Sequence, residues 1–284
     1  MSKVDYYAIV VNDRTWSFVT FQAAAATMLG GTLIALCTAT SVAFTGGGGA
    51  SGTLAYSSAL SAAICGIAYI NYSSMTETRL RTIKQCRAEK GPPDVYPKKV
   101  ACLAAEEVDD FVITTLRYSD WVATFPLLAL KLFDLACDGP GELTSSVLTS
   151  RLVHALIAAL GIIMVASGFV ALIATCDFEV ARTDTARSAL LRWGLYGVGM
   201  CCLIGIYVLL FMASNETESV HSTEVYGFAL LWLLYPVVFV LQIFNFNIVT
   251  PPRKDVLFSI LDVLSKPLLA VYVAQTALKR TTGV

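Results

Sequence analysis

Seven stretches of this chain are apolar for long enough to cross the hydrocarbon core of a bilayer, and no other feature narrows its fold as far. A spanning helix needs about 20 such residues. The stretches cover roughly 17–44, 53–75, 108–131, 152–175, 190–213, 225–247 and 256–279. With 56% hydrophobic residues, 14% charged residues and a mean hydropathy of +0.67, a chain of 284 residues is too apolar for a water-soluble domain. The expected fold is all-α, a seven-transmembrane-helix bundle forming one domain over residues 1–284 with the lipid bilayer as its solvent. Met1 to Arg14 is polar and lacks a cleavable signal pattern, so the first helix is expected to be retained.

Several function classes fall away on composition. A net charge of -1 offers no surface for nucleic acid, which needs clustered Lys and Arg to neutralise phosphates. The eight cysteines form no CxxC pair, so no metal site is expected, and Cys37, Cys65, Cys201 and Cys202 read as small core residues. Cys86 and Cys102 flank a polar segment and are either free thiols or a disulfide in an oxidising compartment. Gly46–Gly49 lacks the GK[ST] ending of a phosphate loop and reads as a turn. His154 and His221 have no nucleophile or ligand at useful spacing, which argues against an enzyme. The segment from Thr76 to Glu107 holds Arg79, Arg81, Lys84, Arg87, Lys90, Lys98 and Lys99 around a GPPD turn, and is expected to be a solvated loop.

Charges at membrane depth carry more information. One costs about 2.5–3.5 kcal/mol at mid-helix unless it is paired or solvated. The seventh stretch contains Asp262 and Lys266, four residues apart and so on one helix face. The third contains Arg117, Asp120 and Lys131, with Thr124 one turn beyond Asp120. A buried lysine here is either half of an ion pair with Asp262 or an amine consumed in an imine with an aldehyde. In the second case Asp120 and Asp262 balance the charge on the imine nitrogen. Trp232, Tyr235 and Phe239 share a face of the sixth stretch, Trp121 follows Asp120, and Trp193 lies on the fifth. Such a stripe serves either helix packing or a long flat ligand.

Three segments then resemble a known family. RYSDWVATFPLL (Arg117–Leu128), WLLYPVVF (Trp232–Phe239) and LDVLSK ending at Lys266 are similar, in order and spacing, to signatures of the microbial (type 1) rhodopsins of the bacteriorhodopsin-like kind. The resemblance implies a seven-helix bundle with all-trans retinal covalently bound to Lys266 as a Schiff base. It makes Asp120 the primary counterion and proton acceptor and Asp262 the second counterion. Arg117, Thr124 and Lys131 fall on the proton pathway. Tyr69, Trp121, Leu128, Met164, Gly168, Trp193, Trp232, Tyr235, Pro236 and Phe239 fall at retinal-pocket positions.

The implied activity is light-driven outward proton pumping, with H+ favoured over sodium or chloride because Asp120 and Thr124 match the proton-pump arrangement. The alternative is a photosensory or light-gated channel module with a fused or associated effector domain, the chain ending soon after the seventh helix. A homo-oligomer is expected on the same ground.

Departures from the family pattern bear on that choice. Lys131 stands where outward pumps usually carry Asp or Glu, giving Asp-Thr-Lys. It lies about 16 Å along the helix from Asp120, and either supplies the proton internally or snorkels outward to pair with Asp134. Lys254 replaces one release glutamate, leaving Asp255 nearby. Phe239 replaces a tryptophan, and Pro267 is expected to kink the seventh helix. The family topology places the N-terminus outside together with the basic 76–107 segment, against the positive-inside tendency.

Overall fold

The computed structural model describes residues 3–45, 49–88, 96–137, 151–173, 186–243 and 251–282, and among them there is no strand. In chain order the helices are α1 (Lys3–Thr45), α2 (Gly49–Ala88), α3 (Tyr96–Ala136), α4 (Arg151–Ile173), α5 (Ala186–Glu216), α6 (Ser222–Trp232), α7 (Leu234–Ile243), α8 (Pro251–Ser265) and α9 (Pro267–Thr282). Single residues, Leu233 and Lys266, separate α6 from α7 and α8 from α9. The described residues therefore build seven rods.

Both interruptions have the same cause. Proline lacks the N–H that would bond to the carbonyl four residues earlier, and its ring crowds that carbonyl. Pro236 denies Trp232 its bond, and the turn tightens so that Leu233 N donates to Leu230 O at 3.1 Å. Pro267 does the same to Val263. The rod nevertheless continues, because Lys266 N donates to Asp262 O at 2.9 Å and Ala270 N to Lys266 O at 3.0 Å. A kink is expected from Pro267, and the interruption of the helix falls on the lysine itself.

The reading of 76–107 as a solvated loop is overturned. Helix α2 continues to Ala88 and α3 begins at Tyr96, so only 89–95, with the GPPD turn, lies between them and outside the described residues. Between Thr76 and Ala88 no Gly or Pro interrupts the helix, and Arg81 pairs with Glu77 one turn back. Thr76 and Thr78 return their hydroxyls to the carbonyls of Tyr72 and Ser74. Side chains of Cys86 and Cys102 also lie outside the described residues, as do Gly46 to Gly48.

Five rods contain segments long and apolar enough to cross a membrane: Arg14–Phe44, Leu152–Ile173, Leu190–Glu216, Ser222–Leu241 and Arg253–Thr276. Helices α2 and α3 match them in length but not in composition. The apolar part of α2 is diluted by Ser, Thr, Tyr and Asn, and α3 carries Asp109, Asp110, Arg117, Asp120 and Lys131. Exposed faces of α4 and α5 present Leu156, Ile162, Ile163, Val170, Ile204, Val208 and Phe211. A polarity inverted in this way, with apolar side chains out and ionisable ones in, is that of a protein integral to a membrane.

Two compact units emerge, Met1–Asp120 with Asn245–Val284, and Trp121–Phe244. In the first, Phe21, Ala24, Ala25 and Met28 of α1 pack with Ala68, Tyr72 and Met75 of α2 and Ile113 of α3. Gly31 admits the start of α9. A Cβ there would lie 3.1 Å from Cys65 Sγ and 3.1 Å from Pro267 Cβ. Gly31→Val should therefore cost about 1–3 kcal/mol, read as a lower thermal midpoint in detergent. An unchanged midpoint would show that α1 and α9 are not held this closely.

In the second unit the turn after α5 is tied to the end of α3. Thr217 Oγ1 donates to Ala136 O at 2.7 Å and Ser219 Oγ to Leu135 O at 2.8 Å. These bonds satisfy carbonyls that the last turn of a helix leaves open. Gly161 brings α4 against α3, where a Cβ would meet Phe125 at 3.2 Å and Pro126 at 3.3 Å.

Candidate functional site

Lys266 sits in the one-residue gap between α8 and α9, and is 2% exposed. Its Nζ donates to Asp120 Oδ2 of α3, and Asp262 Oδ1 lies 3.4 Å away, one turn back. Asp262 Oδ2 accepts a 2.7 Å hydrogen bond from the hydroxyl of Tyr72 on α2. Asp120 and Asp262 are both fully buried. One amine therefore faces two carboxylates in a site closed to water, where charges interact far more strongly than at a surface. The sequence places Asp262 and Lys266 on one face. The structure adds Asp120 from another helix and Tyr72, for which the sequence carried no signal.

Arg117 lies three residues before Asp120 on α3. Its Nη2 reaches Asp255 Oδ1 at 3.3 Å, and its guanidinium lies over the rings of Phe21 and Phe258 at 5.8 and 5.3 Å. Asp255 also accepts from Arg79 Nη2 at 2.8 Å, while Arg79 Nη1 donates to Asp109 at 2.8 Å and Asp110 at 3.0 Å. Arg79 is completely buried. Its place in a segment expected to be a loop hid it, and only the continuation of α2 brings it inside. The basic character of 76–107 is correspondingly smaller than its composition suggests, since Arg79 is neutralised by carboxylates and Arg81 by Glu77.

Thr124 and Leu128 are buried further along α3, and Lys131 is only 3% exposed. Lys131 thus does not snorkel to the surface. Asp134 is half exposed and lies 3.3 Å from His154 Nε2. One turn on, burial and the charges of Asp134 and Glu216 push the Cys137 thiol up to about 12.

Within the second unit the expected aromatic residues form pairs. Trp121 meets Tyr235 edge-on at 5.4 Å, and Phe125 is tilted against Trp232 at 4.7 Å. Tyr196 stacks on Phe239 at 6.0 Å. Trp232 and Phe239 are buried and Tyr235 and Pro236 half-buried, so the face survives the break at Leu233. Phe125 and Tyr196 went unnoticed in the sequence, although they stand four residues after Trp121 and three after Trp193. Trp193 itself is 52% exposed and meets Tyr196 edge-on. Met164 and Gly168 are half-buried on α4. Tyr69, in the first unit, packs against the cluster around Tyr72.

A buried lysine between two carboxylates on a broken seventh rod accords with what the three sequence segments imply, and the chain matches the family described as bacteriorhodopsin-like protein over residues 18–279. The chain belongs to that family. Members of this microbial rhodopsin family are helical membrane proteins that bind retinal covalently. Among curated relatives, halorhodopsin of Natronomonas pharaonis is 24% identical over 174 residues, covering 59% of this chain and 52% of its own length. Sensory rhodopsin III of Haloarcula marismortui is 28% identical over 176 residues, covering 59% of this chain and 66% of its own. The match thus spans between half and two thirds of the length of these relatives.

Among solved structures, the proton-pumping rhodopsin of the marine alga Acetabularia acetabulum superposes with a TM-score of 0.62 at 18% identity, covering 94% of this chain and 96% of that one. Identity at this level speaks for the fold, a seven-helix microbial rhodopsin bundle.

Proposed function

We propose that this family member is a light-driven outward proton pump, with all-trans retinal joined to Lys266. The observation that carries the reading is the enclosed set of Lys266, Asp120 and Asp262, with Tyr72 bonded to Asp262. A primary amine, two carboxylates and no water access suit an imine link, because loss of the flexible ammonium leaves one proton whose affinity the neighbours set. Bound retinal would supply light absorption and isomerisation.

The chain's own residues would do the rest. Asp120 accepts the proton held at Lys266 Nζ, being its hydrogen-bond partner. Asp262, fixed by Tyr72, keeps its charge and holds the site together. Thr124, one turn along α3, steadies Asp120, and Arg117 balances the carboxylates from the other side. Lys131, buried on α3, returns a proton to Nζ. By the family resemblance, Trp121, Trp232, Tyr235 and Phe239 would line the polyene, and Tyr69, Leu128, Met164, Gly168, Trp193 and Pro236 fall at further pocket positions. The transported ion is H+, the partner is the bilayer, and the assembly is a homo-oligomer.

Illumination of cells expressing the chain with all-trans retinal should acidify the medium, and a protonophore should abolish the change. Alkalinisation would reverse the assigned direction, and a coloured protein that moves no protons would refute pumping. Lys131→Ala should slow recovery of the absorption band about tenfold or more at neutral pH, as followed by flash photolysis. An unchanged recovery would remove Lys131 from the pathway.

A second reading, a photosensory or light-gated channel module acting on a fused or associated effector, draws on the similarity to a sensory rhodopsin. It requires a recovery lasting seconds that Lys131→Ala leaves alone.

A further inference from the structure

The cluster around Arg79 has no part in the steps above, yet it gathers one cation and three carboxylates. A single buried guanidinium serves three carboxylates: Asp109 and Asp110 of α3 and Asp255 of α8. For stability alone such an arrangement is a poor choice, since apolar residues of similar volume do as well or better than buried ion pairs.

Its connections suggest more than a clasp. Asp255 gives one carboxylate oxygen to Arg79 and the other to Arg117, and its backbone carbonyl accepts a second, long bond from Arg117 at 3.4 Å. Arg117 in turn is a full charge one turn from Asp120 on the same helix face. In a medium of low dielectric its field reaches both carboxylates of the lysine site.

We infer that Arg79 is a positioning residue for the chemistry at Lys266: it occupies one oxygen of Asp255 and so limits how far that carboxylate draws the charge of Arg117 away from Asp120 and Asp262. This rests on the assignment of retinal to Lys266. Within the first unit, Cys65 and Tyr72 of α2, Arg117 of α3 and Lys266 of the seventh rod face the two carboxylates, and Asp255 faces Arg117. From α1, Arg14 acts on Asp109.

The test is an acid titration of the visible band of the full chain carrying all-trans retinal, whose red shift at low pH reports protonation beside Lys266. Arg79→Gln removes a positive charge and leaves Asp255 in excess, so the midpoint should rise by about one pH unit. Asp255→Asn removes a negative charge and should lower it by a similar amount, whereas Arg79→Lys should leave it near the wild-type value. Opposite signs are what a merely structural role would not produce, because loosening the helices shifts both variants the same way. Midpoints that do not move, or that move together, overturn the inference. Should Arg79→Gln fail to accumulate, Arg79→Gln combined with Asp109→Asn, which leaves the net charge of the cluster unchanged, takes its place and is required to raise the midpoint while Asp255→Asn lowers it. A wild-type protein that takes up no retinal would refute the assignment to Lys266 instead, which a coloured wild type with unmoved variants would not.

Discussion

Lys266→Arg is expected to yield a folded protein that forms no visible band with all-trans retinal, only the near-ultraviolet absorption of unbound pigment. Arginine preserves the cation between Asp120 and Asp262 but has no primary amine with which to make an imine, so the substitution separates the covalent role from the ionic one. Lys266→Ala should lose the band as well, and stability with it. It leaves two buried carboxylates facing each other without their cation, a defect that costs about 3–5 kcal/mol. Lys279, exposed on α9, is the control: Lys279→Ala should colour normally. The readouts are the absorption spectrum after reconstitution and the thermal midpoint in detergent. A band in Lys266→Arg would mean that retinal is held elsewhere.

Asp120→Asn should shift the band to longer wavelength and eliminate light-driven acidification. Both effects follow from one contact, that of Lys266 Nζ with the Asp120 carboxylate. Negative charge beside the nitrogen stabilises the positive charge held there in the dark, and light moves that charge away from it. Removing the carboxylate narrows the gap between the two states. Asparagine also cannot take the proton, so its transfer should slow by about 10²-fold or more. Asp262→Asn offers a useful contrast. Asp262 lies further from Nζ and is bonded to Tyr72, so its loss should disturb the spectrum with a smaller loss of transport. Absorption spectra and cell-suspension pH traces of the two variants provide the check. Unshifted colour with intact pumping in Asp120→Asn would take that residue out of the site.

The two substitutions probe a site that was partly legible in the sequence. Lys266 and Asp262 could be paired from their spacing, because one helix face repeats every three to four residues. Asp120 could be singled out because carboxylates are costly at membrane depth. Their meeting across helices is a matter of packing, which sets Lys266 Nζ against the Asp120 carboxylate. Tyr72, by contrast, looks like any tyrosine of a membrane helix until the packing of α1, α2 and α8 brings its hydroxyl to Asp262.

Local rules determined the helical class, the apolar rods and the break at Lys266, since these depend on runs of apolar residues and on the missing N–H of Pro267. They misjudged 76–107, where charge density resembled that of a loop. Charge alone does not end a helix, and Arg79 is tolerated inside because Asp109, Asp110 and Asp255 meet it there. Tertiary structure alone decided that pairing, as it did the burial of Lys131 and the contact of Asp134 with His154. A sequence registers which residues carry charge, but the cost of each charge depends on its distance to the opposite one, and distances between helices arise only when the chain has packed.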